Sequence, residues 1–388
     1  MLAPPQSAPE SAAPSPPVPF SVHELDGPDQ PLRPGPALCL SGGGYRAMLF
    51  HTGAVWRLYE GGLLHRMERI SSVSGGSITA GVLALAWPHL DPNPTNGATA
   101  FRDRVVNRVR GLASHTIDIP SILRGVLLPG TVSDRIASTY RKHLFSNATL
   151  QDLPGPEAPR FVINASNVQS GALWRFSRPY MRDWRVGEVK NPKVELATAV
   201  AASSAFPPVL SPLVLKLRDQ DYTPNSGADL QRAPFTTSVT LTDGGVYDNL
   251  GVETVWKSFR TILISDGGGK MEAEPQPKIN WIEHAIRVMH LLDNQVGSMR
   301  VRQVIDSLAG GQRSGAYWGI RTDITHYGLP DAIPFPKARA DELAAAPTRL
   351  QALDDSVQVG LINWGYAVCD AAIRRHVDQN LPQGRLPL

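Results

Sequence analysis

Beyond residue 35, short apolar runs alternate with stretches in which apolar residues recur every three or four positions, the pattern of strands alternating with helices. The first run, 37–40, leads directly into Ser41-Gly42-Gly43-Gly44-Tyr45-Arg46. From there Ala47, Phe50, Ala54, Val55 and Leu58 keep helical spacing until Gly61-Gly62 offers a stop. A second run, 70–73, meets Ser74-Gly75-Gly76-Ser77, and a small-residue helix over 78–87 follows until Pro88 closes it. A strand–turn–helix unit that repeats within about 30 residues suits a right-handed crossover placing both turns at one sheet edge. Further strands are predicted over 161–165, 213–217, 238–242 and 261–264, and helices over 281–292 and 356–376. The expected fold is α/β and three-layered, with a mostly parallel central sheet flanked by helices.

The segment 1–35 is crowded with Pro, Ala and Ser but lacks a basic stretch followed by a continuous apolar one, so it reads as a flexible leader and not as a secretion signal. Residues 36–388 read as one domain, with motifs inside 36–251 and none in 271–388. The uncharged stretch 196–215 has the length of a membrane span, but Pro207, Pro208 and Pro212 would break its hydrogen-bond ladder. A helix ending near Ala205, a turn and a strand are expected there instead. The protein is accordingly expected in the cytoplasm.

With 42% hydrophobic residues in 388, the chain can bury a sizeable core, which excludes a disordered or fibrous protein. Lys plus Arg number 38 and Asp plus Glu 35, and the resulting net charge of +3 is too small for a nucleic-acid footprint. The two cysteines, Cys39 and Cys369, belong to no CxxC or Cys/His cluster, so neither a disulfide scaffold nor a metal site is expected. Charge is unbalanced in 101–128, where Arg102, Arg104, Arg108, Arg110 and Arg124 outnumber Asp103 and Asp118 beside the apolar tip Gly125-Val126-Leu127-Leu128. Peripheral contact with an anionic membrane is one reading, and a solvated amphipathic helix packed on the sheet is the other.

The sharpest chemical signal is Ser72-Val73-Ser74-Gly75-Gly76, because a serine between small residues at a strand-to-helix turn can project its hydroxyl from a strained corner. The helix behind it would aim backbone N–H groups and the positive end of its dipole at developing negative charge, which favours acyl transfer. The same residues also suit a plain helix-capping turn. Gly42, Gly43 and Gly44 can present backbone N–H groups unobstructed, as an oxyanion hole requires. A nucleotide phosphate cradle is the competing use, although no Gly-Lys-Ser/Thr follows and the spacing is not Gly-x-Gly-x-x-Gly. Asp243, in Thr242-Asp243-Gly244-Gly245, stands where a β-rich run meets paired glycines and is the candidate base, provided that burial raises its proton affinity. Asp266, before Gly267-Gly268-Gly269, is its rival. Ten histidines are present, and His284, His290, His326 or His376 would complete a Ser…Asp…His order, but none has a distinguishing setting. His51 and His65 flank the first helix with no more to favour them.

Taken together, these elements resemble the patatin-like phospholipases, which combine a Gly-Gly-Gly-x-Arg/Lys-Gly loop, a Gly-x-Ser-x-Gly elbow and an Asp-Gly-Gly/Ala motif. The matching residues are Gly42-Gly43-Gly44-Tyr45-Arg46-Ala47, Ser72-Val73-Ser74-Gly75-Gly76 and Asp243-Gly244-Gly245, in that order. Ala201-Ala202-Ser203-Ser204-Ala205-Phe206-Pro207-Pro208 looks like the family's Phe-Pro segment. The resemblance implies a lipid acyl hydrolase with Ser74 as nucleophile and Asp243 as its base, a dyad without histidine. It also implies an oxyanion and substrate-binding region of Gly42, Gly43, Gly44, Arg46 and Gly75, with a phospholipid or other acyl lipid as substrate and no cofactor. Ser72 and Ala47 depart from the pattern where glycine is usual. A general serine carboxylesterase on soluble esters and a non-catalytic lipid- or nucleotide-binding protein are the alternatives.

Overall fold

The computed structural model describes residues 32–117 and 132–388; most of the expected leader, together with Asp118, Arg124 and the apolar tip, lies outside the described residues. Strand β1 (Arg33–Leu40) begins slightly before the expected boundary. Arg33 holds it there, its N–H donating to Ser258 O at 2.8 Å and its guanidinium lying 5.8 Å from the Phe259 ring centre. Then come α1 (Gly44–Glu60), β2 (Arg69–Val73), α2 (Gly75–Ala86), α3 (Val132–Tyr140) and β3 (Arg160–Asn167). A meander of β4 (Ala172–Phe176), β5 (Tyr180–Asp183) and β6 (Gly187–Lys190) precedes α4 (Leu196–Ser203), β7 (Leu213–Lys216) and β8 (Ser238–Asp243). The chain closes with β9 (Phe259–Asp266), α5 (Trp281–Ala309), β10 (Ser314–Gly319) and α6 (Asp355–His376).

The central sheet is parallel in the order β10-β9-β1-β2-β3, as expected. Antiparallel β4, β5 and β6 extend it beyond β3, and the β7–β8 pair joins β3 as well. The meander escaped the sequence reading because its strands span only four or five residues and carry Arg175, Arg182 and Glu188. Alternation along β1 shows the three layers. Leu38 and Leu40 join the core shared with α1, α2 and α6, whereas Ala37 and Cys39 join the opposite one with Val255, Ile262, Ile264 and Val304. Residues after 270 therefore contribute to both faces, although they carry no chemical motif.

The described part of the basic region is helical, and it buries Phe101, Val105, Val106, Val109 and Leu112 in the core. Its arginines lie outward, Arg110 paired with Asp355 and Arg108 donating to Leu144 O at 3.1 Å. Its apolar face packs into the core, as the amphipathic-helix reading expects, while the apolar tip of the membrane reading lies outside the described residues. The expected helix, turn and strand replace any span over 196–215, and no described helix is long and apolar enough to cross a membrane. Helix α5 runs well past its expected end and leaves Trp281 at 79% and Leu292 at 62% exposed.

Helix α1 is buried along nearly its whole length and crosses α6 at very close range. A Cβ on Gly53 would sit 1.8 Å from Ile362 O, and one on Gly365 would sit 1.9 Å from Phe50 O. The buried Arg57 locks the pair, its Nε donating to Asp370 Oδ1 at 2.7 Å while Arg374 lies 3.3 Å from Oδ2. Since α1 carries the Gly42–Gly44 turn at its N-terminus, this packing sets where that turn sits. Gly365→Val should cost about 3 kcal/mol or more of unfolding free energy through overpacking, which urea denaturation would measure.

Candidate active site

Strand β3 has two edges. On one, β4 pairs with residues 163–167, so β2, opposite Arg160 to Asn164, and β8, opposite Ala165 to Asn167, must share the other. Strand β2 runs parallel to β3 and β8 antiparallel, so the two meet head to head. The last residue of β2, Val73, pairs with Asn164, and the last residue of β8, Asp243, pairs with the adjoining Ala165. Ser74 thus leaves β2 at the point where β8 delivers Asp243.

Ser74 holds φ 50° and ψ −117°, a left-handed conformation rare for a residue with a side chain. Its N–H donates to Ser203 Oγ at 2.9 Å, and its carbonyl begins α2 by accepting from Ser77 N and Ile78 N. Neighbouring Gly75 is obligatory, because a Cβ there would lie 2.2 Å from Gly44 O. Ser72, by contrast, is an ordinary strand residue with no positive φ, so glycine is not needed there. Its buried hydroxyl joins a chain with Ser77 at 3.0 Å, which in turn meets Ser203 at 2.9 Å. Ala47 is likewise accommodated, because its methyl occupies space that a side chain at Gly267 would need.

Asp243 is 2% exposed. Its N–H donates to Ala205 O at 2.9 Å, its carbonyl accepts from Ser166 Oγ, and Oδ1 accepts from Gly245 N at 2.7 Å. Oδ2 has no hydrogen-bond partner of regular geometry among the described residues. Burial raises the carboxyl pKa to about 7; the Gly245 N–H and then the Ser74 hydroxyl pull it down, and Asp293 on α5 adds to the rise. Ser74 is therefore the side-chain donor beside this carboxylate, although its hydroxyl does not complete a regular bond in this state. Gly244 lets the chain leave β8, since a Cβ there would lie 2.4 Å from Asn164 O.

The glycine turn divides its N–H groups. Gly42 N donates to Asn249 O at 3.0 Å and is committed. Gly43, at φ 141°, and Gly44, at φ 62°, have no acceptor for their N–H groups among the described residues, and neither has Gly75. Arg46 is almost fully buried, and its guanidinium donates to Gly267 O at 3.3 Å and to Ala346 O, so it braces the loop and does not present charge to a substrate. Burial lowers its pKa to about 10.

The other candidates are placed elsewhere. Asp266 ends β9, on the far side of β1 from β2, and its carboxylate is engaged by Tyr317 Oη at 2.7 Å and Gly268 N at 2.9 Å. His51 lies between Ser265 Oγ at 2.8 Å and Ser41 O at 2.9 Å, and burial drives its pKa to about 3, so it is a neutral structural histidine. His284, His326 and His376 are exposed. His290 is set 6.2 Å from the Phe206 ring, and among the described residues no histidine hydrogen-bonds Ser74 or Asp243. No group of three or more His, Cys, Asp or Glu that could hold a metal occurs among the described residues. The sequence reading missed Ser203, which supports both halves of the pair by accepting from Ser74 N through Oγ and from Gly244 N through its carbonyl at 3.2 Å. Its signal was the Phe-Pro segment, which carried no assigned role. Asn164 was missed too; its Nδ2 donates to Ser72 O at 3.0 Å and steadies the end of β2.

The family model described as patatin-like phospholipase matches residues 38–256. Among solved structures, human GIVD cytosolic phospholipase A2 aligns with a TM-score of 0.52 at 13% identity, covering 86% of this chain and 58% of that one. The same human protein in complex with methyl gamma-linolenyl fluorophosphonate aligns with a TM-score of 0.50 at 13% identity, covering 87% of this chain and 57% of that one. The chain thus spans less than two thirds of those proteins, and at this identity the likeness is one of fold. No curated protein sequence matches it.

Two stability measurements follow from the geometry. Ser74→Gly relieves the positive φ and should be about 1 kcal/mol more stable to denaturant than Ser74→Ala, which keeps the strain. Asp243 ionises near 3.8 when unfolded but near 7 when folded, so the unfolded state gains by ionisation first. Wild type should lose stability relative to Asp243→Asn as pH rises from about 4 to 7, with the gap constant above that, as thermal melts across pH would show.

Proposed function

The chain belongs to the patatin-like phospholipase family, and on that premise we propose that it is a lipid acyl hydrolase of phospholipase A or lysophospholipase type working through Ser74 and Asp243. The observation that carries this reading is the strained Ser74 beside a buried carboxylate whose Oδ2 is unpartnered and whose pKa is near 7. A base with that affinity can take a hydroxyl proton near neutral pH and return it.

In the proposed sequence, Ser74 Oγ attacks the acyl carbonyl carbon as its proton passes to Asp243 Oδ2. The carbonyl electrons move to oxygen, and the N–H groups of Gly43, Gly44 and Gly75 are positioned to stabilise that oxyanion, a contribution worth about 3 kcal/mol per donor. Collapse of the intermediate expels the alkoxide, which takes the proton from Asp243 and leaves an acyl-serine. Water, deprotonated by Asp243, then attacks the acyl-serine, and collapse releases the fatty acid as Ser74 Oγ takes the proton back from Asp243. Lipid as the acyl donor is supported by the apolar side chains that α5 leaves exposed on the helix holding His290 against Phe206. Among the described residues Asp243 is the candidate base beside Ser74, so the proposed mechanism uses no histidine.

Fatty-acid release from phospholipid vesicles should fall by about 10³-fold or more in Ser74→Ala and in Asp243→Ala, with circular dichroism showing both folded. The wild-type kcat/KM should rise with pH through a midpoint near 7, where Asp243 loses its proton. Turnover of short-chain soluble esters but not of vesicles would establish the carboxylesterase instead, and ligand binding without Ser74-dependent turnover the non-catalytic protein.

A further inference from the structure

At the opposite end of the sheet, where β2 and β3 begin, lies a cavity of about 540 Å³, within the size range of small-molecule sites. Five arginines line it, Arg33, Arg66, Arg69, Arg160 and Arg178, against two carboxylates, Glu68 and Glu157. Arg69 is engaged, its guanidinium donating to Thr254 O and lying 4.9 Å from the Phe259 ring centre. Arg33 and Arg160 rest only on the rings of Phe259 and Tyr180, and Arg178 donates to Leu153 O at 2.9 Å. None of Arg33, Arg66, Arg160 and Arg178 has a carboxylate within ion-pair distance among the described residues. So many cations converging on one concavity repel one another unless an anion joins them.

Ser177 and His65 also border the cavity, but Ser177 Oγ and His65 Nδ1 are enclosed and offer no surface to a ligand, so the arginines are what a ligand would meet. Several planar forks around one space match an anion with many oxygens, which is phosphate chemistry more than that of a single carboxylate. Glu68 and Glu157 can accept from hydroxyl or amino donors on the same molecule.

We propose that this cavity binds a soluble, multiply charged organic phosphate at a site separate from the catalytic pair. Arg69 and Ser74 are five strand steps apart, about 16 Å at the rise of a strand. The two sites lie at opposite ends of the parallel strands, so a membrane headgroup held in the cavity would turn Ser74 away from that same membrane. A dissolved phosphate meets no such conflict.

The test titrates the full chain with ATP and with inorganic pyrophosphate, by calorimetry, at low and high salt. Arg66 and Arg160 are exposed, so Arg66→Ala/Arg160→Ala should fold and should weaken binding of the tighter probe by about tenfold or more. The control Arg102→Ala/Arg104→Ala removes the same charge from residues that do not line the cavity and should leave binding within about twofold of wild type. No binding of either probe, or equal loss in both double variants, would overturn the proposal. Arg66- and Arg160-dependent sedimentation with phosphatidic acid vesicles, without uptake of the soluble probes, would place a lipid headgroup there and overturn it as well. Ser74-dependent fatty-acid release should persist in the cavity variant, so the site and the hydrolase reading fail separately.

Discussion

The structure depends on one shared edge of β3. Because β4 occupies the other edge, β2 and β8 must take turns along this one, and they arrive from opposite directions. Adjacent positions on a strand are about 3.3 Å apart, so residues far apart in sequence are pressed together where the two strands end. The turn after β2 must then fold back over β1's own turn, and the turn after β8 must slip past Asn164. These close approaches leave room for glycine alone at Gly75 and Gly244.

Such a junction is costly in isolation. A side-chain-bearing residue at positive φ costs about 1–3 kcal/mol, and a buried carboxylate with an unpartnered oxygen costs a similar amount. Both persist because their surroundings are rigid on every side. Ser203 holds the Ser74 N–H and the Gly244 N–H at once, the serine chain of Ser72, Ser77 and Ser203 ties β2 to α4, and Asn164 fastens the strand end. Farther back, the backbone-to-backbone packing of α1 on α6 and the buried Arg57–Asp370 pair prevent the Gly42–Gly44 turn from drifting. A frame of this kind holds strain where the proposed chemistry needs a presented hydroxyl and a basic carboxylate.

The two ends of the parallel strands also divide the electrostatics. At the C-terminal ends, glycine turns and the start of α2 supply N–H donors without fixed charge, suited to an oxygen that becomes negative only during reaction. At the N-terminal ends, arginines supply permanent positive charge, suited to an anion that is always charged. On the two proposals, the same sheet carries a transient-charge site and a standing-charge site a strand length apart.

Much of this was written locally. Short continuous apolar runs and period-three-to-four apolar patterns placed the strands and helices of the parallel core, and the glycine-flanked Ser74, Asp243 and Gly42–Gly44 stood out because tight turns demand small residues. The meander, the full length of α5 and the boundaries of α4 were less visible, since short polar strands and a half-exposed helix leave little periodicity. Sequence ranked Asp243 over Asp266 only on the polar run that follows the Asp266 glycines, since both end β-rich runs before glycines; strand order separates them physically, placing one beside β2 and the other across β1. Sequence could not divide the glycine N–H groups into committed and open, assign Ser203 a role, or turn Arg46 from a substrate contact into a brace, because each depends on a partner remote in the chain. The sequence by itself determined which segments form strands and turns, through local periodicity and steric tolerance. Only the tertiary structure decided which turn ends meet, since that follows from which strands share an edge of β3.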